Sequence, residues 1–111
     1  MADVLRVELV ADTIKSYQSS KTAKIYSLTK DTGLSDPVKV DWGDGNVTTD
    51  TTYQLSHTYS SSGIYTIKIY NVNKVNLGGD STSYYNYSRI YTDITLYEGI
   101  SEIPNSAFRD C

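Results

Sequence analysis

Short runs in which apolar and polar residues alternate make up most of this chain. Val38, Val40 and Trp42 fall on one side of such a run, with Lys39 and Asp41 on the other, which is the period of two of a half-buried strand. Tyr65, Ile67 and Ile69 alternate with Thr66, Lys68 and Tyr70 in the same way. Near the N-terminus Leu5, Val7 and Leu9 alternate with Arg6 and Glu8, predicting a first strand over residues 4–10. Residues 23–29 also read as a strand, although Tyr26 and Leu28 compete with Ile25 for the buried face. Residues 71–77 place valines among polar side chains and predict a further short strand, while residues 13–18 suit either a strand or a bend.

The segments between these runs are rich in turn formers. Gly43 and Gly45 flank Asp44, and glycine tolerates the positive φ of a tight turn while an aspartate side chain caps nearby N–H groups. Residues 30–37 form a turn-rich connection ending at Pro37, a residue suited to the first position of a strand. Residues 46–52 are polar and threonine-rich, as an exposed hairpin arm or loop would be, and Gly78-Gly79-Asp80-Ser81 signals another turn. These elements predict an all-β fold in which Trp42, Tyr59, Tyr65, Ile67 and Ile69 build the core. Trp42 supplies the largest single apolar surface, and packing explains it better than ligand stacking. Tyr59, just before the Ser60-Ser61-Ser62-Gly63 turn, suits a hydroxyl that ties a loop to backbone.

Three elements together carry a family resemblance: Trp42-Gly43-Asp44-Gly45, then His57-Thr58-Tyr59, then Gly63-Ile64-Tyr65-Thr66-Ile67. In order and approximate spacing they resemble the PKD domain. The resemblance implies an immunoglobulin-like β-sandwich of about seven strands. It also implies a spacer or binding module of large surface proteins, without enzymatic activity.

A second resemblance lies at the C-terminus. Ile94, Leu96, Ile100, Ile103, Ala107, Phe108 and Cys111 are similar to one unit of a BspA-type leucine-rich repeat, whose Phe and Cys would pack between stacked repeats. A solenoid buries its faces only when about three or more repeats stack, so a single unit must pack on the sandwich, pair with another chain or open a longer array. The expected organisation is therefore a PKD-like sandwich over residues 1–92 and a short strand-turn, repeat-like extension over residues 93–111.

Composition narrows the function classes. A chain of 111 residues suits one domain with its own core. Eleven tyrosines against one Phe and one Trp put the aromatic bulk in an amphipathic ring suited to strands and wet surfaces. A net charge of −3, with Lys15, Lys21, Lys24 and Lys30 scattered among polar residues, argues against nucleic acid as a partner. No stretch approaches transmembrane length, so no membrane insertion is expected. Cys111 is the only cysteine, which leaves the redox compartment open. Asp3, Arg6 and Glu8 interrupt the N-terminus where a secretory signal would be apolar, and the expectation is either that a signal has been removed or that the product reaches an exterior by another route, as virion components do.

Reactive chemistry is sparse. His57 is the only histidine, and a structural role on a strand suits it better than proton transfer. With one histidine and one cysteine, neither a Cys/His zinc site nor a Cys-His nucleophile is expected. Asp41, Asp44 and Asp50 could offer oxygens to calcium if they converged, but their spacing matches no complete calcium loop, and neither a metal nor a cofactor is expected. The remaining concentration of chemistry is residues 83–91, with Tyr84, Tyr85, Tyr87 and Tyr91. Such rings cover a sheet edge or serve as a recognition surface for other protein subunits, since they offer large contact area with few rotatable bonds. Carbohydrate stacking is a third use that the sequence does not select. The expected function is a structural module of a bacteriophage virion, a capsid decoration or fibre-associated protein. The alternative is a piece of a bacterial cell-surface adhesin in which the PKD-like domain precedes leucine-rich repeats, and a third class, a small hydrolase or carbohydrate-binding accessory domain, has little residue-level support.

Overall fold

A computed structural model describes residues 3–14, 21–77 and 91–100. Among these residues the chain forms eight strands and no helix, hence none long and apolar enough to cross a membrane. In chain order they are β1 (Leu5–Asp12), β2 (Thr22–Lys30), β3 (Lys39–Asp41), β4 (Val47–Thr49), β5 (Tyr53–Thr58), β6 (Ile64–Tyr70), β7 (Val72–Asn76) and β8 (Tyr91–Leu96). They make two antiparallel sheets, one of five strands in the order β4-β3-β6-β1-β8 and one of three in the order β5-β2-β7.

The alternation read from the sequence decides which side chains enter the interior. On the five-stranded sheet Val7, Leu9, Val38, Val40, Trp42, Ile67 and Ile69 are buried, and from the smaller sheet Ala23, Ile25, Leu28, Leu55, Val72 and Val75 meet them. Removal of this apolar area from water is the main term holding the layers together. Tyr65 is only half-buried and packs on the cluster from its rim.

Several strands depart from strict alternation, β1 and β2 among them. The pairing of β1 with β6 shifts register between Leu5 and Val7, and the bulge leaves Leu5 half-buried while drawing Arg6 inside. In β2 the buried set passes from Ala23 and Ile25 to Leu28, so the competition seen in the sequence is settled by a change of face within the strand. The turn-rich segment before Pro37 is a connection, and residues 46–52 contain the short edge strand β4, hairpinned onto β3.

β8 continues the five-stranded sheet. It pairs with β1, matching Leu9 with Ile94 and Val7 with Leu96, and Ile94, Leu96 and Ile100 pack against the common core. The boundary expected between residues 92 and 93 therefore falls inside a strand of the main sheet. The rest of the repeat-like segment, Ile103, Ala107, Phe108 and Cys111, lies outside the described residues.

Candidate functional site

Among the described residues, aromatic and ionisable groups gather around the turn after β3. The Trp42 indole is buried, and its Nε1 donates to Thr48 Oγ1 on β4 at 2.9 Å. The backbone then reverses through Gly43 and Gly45 at φ 88° and 94°. A side chain at position 43 would run into the Thr66 carbonyl of β6, so that glycine is needed for space as well as for its φ. Asp41 Oδ1 accepts from Gly43 N at 3.0 Å, and Asp44 Oδ1 accepts from Asn46 N at 3.1 Å, closing the turn twice.

β5 brings His57 against this turn. Its imidazole stacks on the Trp42 indole with centroids 5.2 Å apart, and Tyr59 meets it edge-on at 4.8 Å. Tyr65 in turn stacks on Tyr59 at 3.9 Å. Polar atoms fix each ring: Tyr59 OH donates to the Trp42 carbonyl at 2.6 Å, and Tyr65 OH to the Ser61 carbonyl at 2.7 Å. His57 Nε2 lies 2.7 Å from Asp44 Oδ2. Burial favours the neutral acid at Asp44, but hydrogen bonds from His57 and from Asn46 outweigh it and hold the carboxyl below its usual range. The carboxylate therefore accepts and the imidazole N–H donates. Burial, with the Asp44 charge second, pushes the Tyr59 phenol well above its ordinary range, so it remains a donor.

The three aspartates considered for calcium do not meet. Asp50 follows β4 and donates its N–H to the Val38 carbonyl, at the far end of the β3–β4 ladder from Asp41 and Asp44. Among the described residues no group of three or more metal-ligating side chains forms.

A different cluster closes the opposite end of β6. The chain passes from β6 to β7 through one residue, Asn71, fully buried at φ 70°. Asparagine is among the few residues other than glycine that visit this region. Its side chain accepts from Val4 N at 2.9 Å and donates to Asp3 at 3.1 Å and to the Pro37 carbonyl at 2.8 Å. These contacts join the N-terminal segment, the approach to β3 and the sheet crossing. The Asn71 amide, and after it Lys39, holds Asp3 below the usual carboxylate range. Nearby, Arg6 pairs with Asp31 at 2.9 Å and donates to the Glu98 carbonyl at 2.9 Å, while its Nε is buried without a partner. A shallow groove of about 490 Å³ lies beside it, lined by Val4, Leu5, Arg6, Tyr97, Glu98 and Gly99.

Of the four tyrosines read as a recognition surface, Tyr84, Tyr85 and Tyr87 lie outside the described residues. Tyr91 is corrected: it is 2% exposed, and its hydroxyl donates across the layers to the Lys24 carbonyl of β2 at 2.8 Å. It pairs with the small Ala11, whose short side chain leaves interior room for a large ring. The sequence reading passed over Tyr53, whose ring is 57% exposed beside that of Tyr26, and over the buried Arg6 and Asn71. The polar-aromatic run Thr51-Thr52-Tyr53-Gln54 was the available signal for the first of these.

No family model, curated protein or solved structure matches this chain.

Proposed function

We propose that this chain is a non-catalytic interaction module, an immunoglobulin-like sandwich serving as a structural component of a bacteriophage virion, as a capsid decoration or fibre-associated protein. The observation that carries the non-catalytic reading is the use made of His57. The imidazole sits between Trp42 and Tyr59 and is tied to Asp44, so this polar and aromatic constellation serves to hold a turn. The immunoglobulin-like reading draws support from Trp42 packed on the inner face next to β3 and from Tyr59 anchoring backbone, the service a tyrosine corner performs. The strand order has its own character, since β1 occupies the place beside β6 opposite β3.

Assembly is assigned to Tyr84, Tyr85 and Tyr87, with other protein subunits as partners. Replacing these three by serine, with Tyr91 left in place, should preserve β-type circular dichroism and the melting temperature. Self-association by light scattering, and co-purification with products of neighbouring genes, should be lost. Undiminished association would remove the basis for this surface.

A second reading, a bacterial cell-surface adhesin, is favoured by one observation. Ile94, Leu96 and Ile100 of the repeat-like motif pack on the sandwich core, so the described part of the motif joins the main sheet, as the start of a longer array would. Neighbouring capsid or tail genes support the virion, whereas a reading frame running on through further Ala-Phe-x-x-Cys repeats supports the adhesin.

A further inference from the structure

We propose a carbohydrate-binding surface centred on Tyr53, at the side of the sandwich where the chain crosses from β4 in one sheet to β5 in the other. It goes beyond the assembly role assigned to Tyr84, Tyr85 and Tyr87 and uses none of those residues. Among the described residues three other than glycine hold positive φ, and two of them, Asp50 at 62° and Gln54 at 52°, flank this crossing. The third, Asn71, is accounted for by its buried hydrogen bonds. Gln54 has no such compensation among the described contacts, and left-handed backbone outside glycine persists where the surroundings impose it, often at sites of recognition.

The crossing is fixed at both ends. Asp50 N donates to the Val38 carbonyl of the larger sheet, and the Thr52 carbonyl accepts from Leu28 N of the smaller one, each at 2.8 Å. Around these anchors residues 49–54 are all exposed, and Tyr53 is the one large side chain among them. Its ring is held edge-to-face by Tyr26, with centroids 5.4 Å apart at 66° and hydroxyls 3.4 Å apart. A flat ring is thus presented to solvent in a set orientation, which lowers the ordering cost of binding.

The surrounding chemistry selects the ligand. Thr49, Thr51, Thr52 and Gln54 supply neutral donors and acceptors, and residues 47–58 contain neither Lys nor Arg. Lysines reach the two ends of this stretch across the strand pairings, Lys39 opposite Thr49 and already paired with Asp3, and Lys24 opposite Ser56. Cations thus flank the Tyr53 surface, and an anionic ligand centred on the ring would find none within residues 47–58. A sugar ring has an apolar C–H face and a rim of hydroxyls, which match an exposed tyrosine bordered by hydroxyl and amide groups.

The test is affinity electrophoresis of the full chain in native gels cast with dextran, xylan, galactomannan or mixed-linkage β-glucan. At least one should retard the protein. Tyr53→Ala should weaken that retardation by roughly tenfold or more, Tyr53→Phe should largely keep it, and the Tyr84, Tyr85 and Tyr87 serine variant should bind as the parent. Gln54→Gly keeps the backbone shape and removes the amide, so it should bind several-fold more weakly at an unchanged or slightly higher melting temperature; this variant decides the matter if Tyr53→Ala does not fold. Absence of retardation by every polysaccharide overturns the proposal, as does parental binding by Tyr53→Ala or, in its place, by Gln54→Gly. Loss of self-association in Tyr53→Ala without a change in polysaccharide binding would assign the surface to a protein partner and likewise overturn it.

Discussion

The two ends of β6 are closed by different physics. Beyond Tyr65 the closure is aromatic: Trp42, His57, Tyr59 and Tyr65 pack ring on ring, with a few hydrogen bonds setting their angles. Beyond Tyr70 it is polar, with Asn71 and Arg6 each joining segments distant in sequence through hydrogen bonds and one ion pair. Buried apolar area is forgiving of direction, whereas buried polar groups must each find a partner. The aromatic end should therefore respond to lost volume, and the polar end to a single lost acceptor or to a change in backbone preference.

The largest expected effect is at the aromatic end. Trp42→Ala removes the biggest buried ring and should cost about 3–5 kcal/mol in urea unfolding. A wild-type midpoint would show that the indole contributes no core packing. At the polar end Asn71→Ala strands the Val4 N–H and forces alanine to positive φ, for an expected loss of about 2–4 kcal/mol. Asn71→Gly should recover about 1 kcal/mol of that loss by relieving the backbone alone. Equal stability of the two variants would mean that hydrogen bonding is the whole effect. Tyr59→Phe keeps the stack and deletes only the bond to the Trp42 carbonyl, so a loss of about 1 kcal/mol is expected. A loss as large as that of Trp42→Ala would contradict the packing-first account of this end.

Acid should produce the smallest effect, and it should act on both ends. Asp44 and Asp3 have folded-state values held below the unfolded reference of about 3.9. Each carboxylate therefore favours the folded state above that reference, and the contribution disappears as pH falls through the depressed folded value. Stability measured from about pH 6 down to about pH 2 should fall less steeply for Asp44→Asn and for Asp3→Asn than for the parent. Parallel curves would show that neither hydrogen-bonded carboxylate contributes to folding.

The aromatic end was far more legible in the sequence than the polar one. Period-two alternation placed Val38, Val40, Trp42, Ile67 and Ile69 inside, because a regular strand obliges every second side chain to share a face. The same rule assigned Arg6 to solvent, and the β1 bulge reversed that assignment; a bulge depends on the partner strand and leaves no mark on the local pattern. Asn71 read as an ordinary polar residue because its value lies in three groups far away in sequence. Tyr91 was grouped with Tyr84, Tyr85 and Tyr87 by proximity along the chain, yet the space beside Ala11 and the Lys24 carbonyl decide its place. The division at residue 92 followed a motif, whereas hydrogen bonding to β1 carries the sheet on to Leu96.

The one-residue passage through Asn71 also bears on how errors spread in this fold. β6 sits in the middle of the larger sheet and β7 at the border of the smaller, with a single residue between them. A slip of β6 by one position would turn its inward side chains outward and drag β7 out of phase with β2 at the same time. Misalignment in either layer is thus penalised in both, and the seam at Asn71 acts as a proofreader of strand alignment for the whole sandwich.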